Sequence, residues 1–183
     1  MKKYAYLTFI IFSFSLALYF YSEHHDKKTI LYANGLLDRY IKDPASERFY
    51  ALKELKSLTN KNPRNVKIRS IYLNILLLEK HYTQGLEQIK IINKNSPIAL
   101  YKLNECLLIE RVGKEPRSCY QQAVKLFRAK RNHDNNYILA LKFSQDPNFL
   151  SERYRLVNAG KITKEAENII DMDKQTFLAT FYP

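Results

Sequence analysis

Small and apolar residues return in this 183-residue chain at a fixed interval of 34. Ala51, Gly85 and Cys119 share the spacing, as do Leu55, Ile89 and Ala123, then Leu58, Ile92 and Leu126, and Pro63 and Pro97 mark the same period. An interval of that length accommodates two short helices and a turn, and a pair so small buries its apolar stripe only against a neighbouring pair. Beyond Lys28 the apolar positions follow helical spacing, with no alternating pattern long enough for a useful strand. X-Pro steps at Asp43-Pro44, Asn62-Pro63, Ser96-Pro97, Glu115-Pro116 and Asp146-Pro147 fall where a helix should stop or start. The chain is therefore expected to be all-α. Its helices are expected over Thr29–Lys42, Ala45–Thr59, Arg64–Glu79, Tyr82–Ile92, Ile98–Arg111, Arg117–Ala129, Asn135–Phe143, Phe149–Val157 and Lys164–Asp171, with a last turn from Gln175 to Phe181. Four widely spaced glycines leave no material for a phosphate cradle or a dinucleotide turn, so nucleotide enzymes are set aside.

In this register the chain resembles the tetratricopeptide repeat family, whose 34-residue unit carries a small residue where its two helices touch, an apolar residue four later and a proline at its end. The segment His81-Tyr82-Thr83-Gln84-Gly85-Leu86-Glu87-Gln88-Ile89 is similar to the start of that family's second helix, and the resemblance covers roughly Leu31 to Lys130. Where the family's first helix carries a bulky aromatic, this chain has Gly35, Arg69 and Leu103; where that helix is small, it has Arg39, Leu73 and Leu107. The resemblance implies a short right-handed helical solenoid of about three helix pairs over residues 29–131, acting by protein binding. The register fades at the polar run Arg131-Asn132-His133-Asp134-Asn135-Asn136, so residues 132–183 are expected to form a helical cap. Thr176 to Pro183 are too apolar to hang in water, and are expected to pack on the preceding helices; the alternative is a free recognition tail.

Residues 1–28 have a different character. After Met1-Lys2-Lys3, the stretch Tyr4 to Tyr21 carries no charge, and its eighteen residues as a helix reach about 27 Å, close to the hydrocarbon core of a bilayer. It reads as an uncleaved signal-anchor, with Ser15-Leu16-Ala17 the one plausible cleavage site under the alternative of a removed signal. No cysteine lies near residue 20, which excludes a lipid-modified lipoprotein. Lys2 and Lys3 precede the stretch and the nearly balanced Glu23-His24-His25-Asp26-Lys27-Lys28 follows it, so the positive-inside bias places the remainder outside the inner membrane, in the periplasm.

That compartment bears on charge and on cysteine. The net charge is +12, and it belongs mainly to the region beyond the apolar stretch. Such a field attracts polyanions, but export argues against nucleic acid and for a protein partner with an acidic segment. Two cysteines in an oxidising compartment, Cys106 and Cys119, are expected to form one disulfide; the alternative is a pair of buried free thiols.

Chemistry is thin. His24 and His25 sit beside the apolar stretch, and His81 and His133 are isolated turn residues. Glu165, Glu167, Asp171 and Asp173 cluster late in the chain, but their spacing matches no calcium loop and reads as a solvated helix face. No catalytic residue, metal or cofactor is expected, and the chain is read as a non-enzyme. Fourteen tyrosines and no tryptophan suit binding surfaces. The expected partner-binding residues are Tyr50, Lys53, Arg64, Lys67, Arg69, Tyr101 and Lys102. The resulting expectation is an envelope scaffold for assembling a pilus or secretion system. The alternatives are a periplasmic immunity protein against a secreted toxin and a periplasmic companion of a membrane-spanning transcriptional regulator.

Overall fold

The computed structural model describes residues 26–183, and within them every regular element is a helix. The ten helices are α1 (residues 26–42), α2 (Ala45–Lys61), α3 (Val66–Leu78), α4 (Tyr82–Asn95), α5 (Ala99–Arg111), α6 (Arg117–Ala129), α7 (Asn135–Ser144), α8 (Phe149–Asn158), α9 (Lys164–Asp171) and α10 (Lys174–Phe181). Each of the five X-Pro steps falls between two of them, because proline disfavours helical backbone at the residue before it. None of these helices is long and apolar enough to cross a membrane. The expected anchor at Tyr4–Tyr21 lies outside the described residues.

The chain divides into two compact units after Tyr72, a point within α3. In the first, α1 buries Ala33, Leu36 and Tyr40, and α2 buries Ala51, Leu55 and Thr59, spacings that put each set on one helical face. The buried Thr59 hydroxyl donates to the Leu55 carbonyl at 2.8 Å, so no polar atom is stranded there. Tyr32 of α1 donates its hydroxyl to Glu54 of α2 and ties the two helices. Asn65 accepts from the Ile68 amide at 3.1 Å and starts α3 there, two residues later than the sequence-based bound at Arg64.

In the second unit, Leu73–Pro183, consecutive helices pack on one another: α4 on α5, α5 on α6 and α6 on α7. The polar run Arg131–Asn136 is the turn between α6 and α7. Helix α7 also receives α8 and α9, and is buried nearly all round from Tyr137 to Leu141 and at Phe143 and Ser144. Its first turn is fixed by the Asp134 carboxylate, which accepts from the amides of Asn136 at 2.9 Å and Tyr137 at 3.0 Å. Five helices end in the same left-handed cap, at Lys80, Gly113, Arg131, Gln145 and Gly160. After each, an amide reaches back five residues, as Lys114 does to the Ile109 carbonyl at 3.0 Å.

Cys106 on α5 and Cys119 on α6 are bonded, with Cα atoms 5.4 Å apart and 13 residues between them in sequence. The small and apolar side chains spaced by 34 fall on alternate helices, α2, α4 and α6, while Pro63 and Pro97 sit in connections, and Ala51, Gly85 and Cys119 are all buried. At Gly85 the approach is close: a Cβ there would lie 3.0 Å from a Leu77 methyl and 3.4 Å from one of Leu73.

Candidate binding pocket

The C-terminal helix builds one wall of a pocket. Phe177 on α10 is buried and stacks edge-on against Phe143 of α7, ring centroids 5.2 Å apart. Lys174, one turn earlier, pairs with Glu110 of α5 at 3.1 Å and lies over the Tyr120 ring at 5.5 Å. Beyond the helix, Arg111 donates to the Tyr182 carbonyl at 2.6 Å, Tyr82 donates to the Pro183 carbonyl, and Tyr182 is buried beside Tyr82. Burial pushes the Tyr182 hydroxyl up to about 12. Tyr120 is also raised, by burial first and then by its 2.7 Å hydrogen bond to Glu110. The apolar end of the chain therefore packs on its neighbours instead of hanging free.

Between this wall and helices α5 and α7 lies a half-open pocket of about 470 Å³. Leu103 and Leu107 of α5, Leu139 of α7, Ile170 of α9 and Phe177 of α10 supply its apolar surface, and Phe181 stands at 46% exposure beside it. No lining side chain is charged. The polar groups are amides and one phenol: Asn104, Asn135, Asn136 and Tyr182. Tyr182 donates its hydroxyl to Asn104 at 3.5 Å, whereas the buried Oδ1 of Asn135 has no hydrogen-bond partner. Such a lining has the size and polarity of a site for a neutral apolar group.

The residues singled out from the sequence are distributed otherwise. Tyr50, Lys53, Arg64 and Lys67 are exposed on the first unit. Arg69 is not a surface contact: it is 6% exposed, and its guanidinium donates to the Pro63 carbonyl at 3.1 Å, closing the turn before α3. Desolvation lowers its pKa from the usual arginine range. Tyr101 and Lys102 lie in the second unit and are half-buried; Lys102 pairs with Glu105 at 3.3 Å, and the Tyr101 carbonyl accepts from Asn93 at 3.1 Å. The late acidic cluster is engaged structurally, with Arg153 reaching Asp171 at 2.7 Å and Glu167 at 3.6 Å while Asp173 caps α10. His133 stacks on Tyr137 at 4.8 Å, and His81 precedes α4. Among the described residues no group of His, Cys, Asp and Glu is placed to hold a metal ion.

Sequence reading missed the pocket, although two of its residues carried a signal. Leu103 and Leu107 are positions at which the chain departs from the tetratricopeptide pattern, and both line the pocket wall. No protein-family model, no curated protein and no solved structure matches this chain.

Proposed function

We propose that the chain is a non-enzymatic envelope protein that acts by protein–protein binding, and that its pocket seats an apolar side chain of the partner. The observation that carries this reading is the uncharged lining of the pocket, which lacks any group able to move a proton at neutral pH yet has the volume for a large side chain. The second unit carries 17 Lys and Arg against 12 Asp and Glu, which favours a partner whose anchoring side chain sits in an acidic segment. The 34-residue spacing, with small or apolar residues buried on alternate helices, supports a divergent tetratricopeptide-like stack as the scaffold. The uncharged Tyr4–Tyr21 stretch supports tethering to the inner membrane with the helices in the periplasm, and the Cys106–Cys119 bond suits that compartment. Accessory service in assembling a pilus or secretion machine is the most concrete form of this function.

The test is affinity capture of the native, membrane-extracted chain, side by side with Phe181→Asp, which places a charge at the exposed edge of the pocket. Several envelope-assembly proteins recovered with the parent chain and lost with the variant are expected. A single secreted toxin in stoichiometric amount would assign immunity instead. Recovery of no stoichiometric protein, or recovery indifferent to Phe181→Asp, refutes the pocket as the docking site.

A further inference from the structure

Exposed large apolar side chains are concentrated in a short part of the chain. Leu31, Tyr32, Ile41, Phe49 and Tyr50 all lie within twenty residues of the first unit, with Leu31 74% and Phe49 64% exposed. On α2, Phe49, Lys53 and Lys56 occupy the face opposite the buried Ala51 and Leu55. Tyr32 meets Glu54, one turn beyond Tyr50, so the two tyrosines share a side of the α1–α2 pair.

The same unit is dense in cations, and several of them are unpaired. Residues 26–72 hold 11 Lys and Arg against 5 Asp and Glu, and no acidic residue occurs from Leu55 to Leu78. Lys53, Lys56, Arg64 and Lys67 make no ion pair among the described residues. Aromatic and aliphatic side chains amid unpaired cations are the composition of a surface that meets lipid headgroups. An acidic protein segment without apolar side chains of its own would satisfy the cations but leave Phe49, Tyr50 and Leu31 uncovered.

Position in the chain selects the same occupant. Only residues 22–25 lie in sequence between the uncharged Tyr4–Tyr21 stretch and Asp26, the first described residue of α1. Even fully extended, so few residues reach about 17 Å, so a bilayer holding that stretch keeps α1 within range of its headgroups. We infer that the first unit rests on an anionic phospholipid surface, with Phe49 entering the headgroup region and Lys53, Lys56, Arg64 and Lys67 among the phosphates. The inference rests on the anchored reading proposed above, and it adds that the first unit lies on the lipid.

The chain has no tryptophan, so Phe49→Trp in the full chain makes a sole reporter. Reconstituted in phosphatidylglycerol vesicles containing brominated lipid, that variant is expected to emit blue-shifted and to be quenched about twofold or more. Lys53→Glu with Lys56→Glu, or vesicles of phosphatidylcholine alone, should reduce the quenching of the Phe49→Trp reporter. Carbonate-resistant association with the vesicles reports the anchor separately. A chain that fails to associate at all overturns the anchor and this inference together. Association without quenching of the Phe49→Trp reporter, or equal quenching in neutral lipid, overturns this inference alone.

Discussion

Removing the cross-link between α5 and α6 should cost the second unit a large part of its stability. The bond closes a ring spanning 13 positions of sequence. In the loop-entropy account, a ring of about that size removes enough freedom from the unfolded chain to stabilise the native state by about 3 kcal/mol. Against a typical total of about 5–15 kcal/mol, that is about a fifth to three fifths. Both residues are buried, so Cys106→Ala with Cys119→Ala also leaves small voids, whereas reduction keeps the sulfur volume. Comparing the two separates the terms: a loss common to both is the chain-entropy effect, and an excess in the alanine variant is packing. Hydrogen exchange on the full chain gives a local readout. The slowest amides of α5 and α6 should lose about 100-fold in protection, the equivalent of 3 kcal/mol. Protection unchanged within about threefold would refute the reasoning, because the α5–α6 hairpin would then persist in the unfolded chain and leave the bond little entropy to remove.

Three further outcomes follow from named contacts. Gly85→Val should destabilise the second unit by about 1–3 kcal/mol, since Leu77 and Leu73 leave no room for branched carbons; a neutral effect in chemical denaturation would mean that these leucines yield freely. Lys142 donates from α7 to the carbonyls of Ile170 and Met172 at 2.5 and 2.6 Å, and burial lowers its pKa from the usual lysine range. Lys142→Met should loosen α9 by about 1–2 kcal/mol, seen as faster exchange in Lys164–Asp171 with α4 unaffected. Tyr182, held up to about 12 by burial, favours the folded state in its neutral form, so its contribution is complete below about pH 10 and is lost as pH rises toward 12. Proteolytic release of the last ten residues should therefore rise steeply across that window and much less in Tyr182→Phe; identical profiles would contradict the assignment.

The helices were legible because their ends are marked by local chemistry. Pro44, Pro63, Pro97, Pro116 and Pro147 each sit in a connection, and proline acts on its own neighbour whatever the tertiary context. The α4 bound was less legible: expected to end at Ile92, it runs to Asn95, because no breaker precedes Pro97. Left-handed caps at Lys80, Arg131 and Gln145 gave no glycine signal, since backbone hydrogen bonds there hold side-chain-bearing residues at positive φ. The pocket was hidden for a different reason. Its walls join Leu103 to Leu139 and Phe177, residues far apart in sequence whose meeting depends on how five helices pack, and no spacing rule reaches across that distance.

Charge shows the same divide between local and tertiary information. A net of +12 invites a single basic surface, and the sequence expectation joined cations from Lys53 to Lys102 into one site. In the second unit many of the cations are engaged internally instead: Lys102 meets Glu105 within α5, while Arg111 meets the Tyr182 carbonyl, Arg128 Asp146, Arg153 Asp171, and Lys174 Glu110 between elements. Each such cation is partly neutralised by its partner or by a helix end, so it contributes less to the long-range field than the composition suggests. In the first unit the scarcity of carboxylates after Glu54 leaves Lys56, Arg64 and Lys67 without that option. Raising salt should therefore weaken association with anionic lipid through these residues while leaving the second unit's internal pairs, which are short and partly shielded, largely in place.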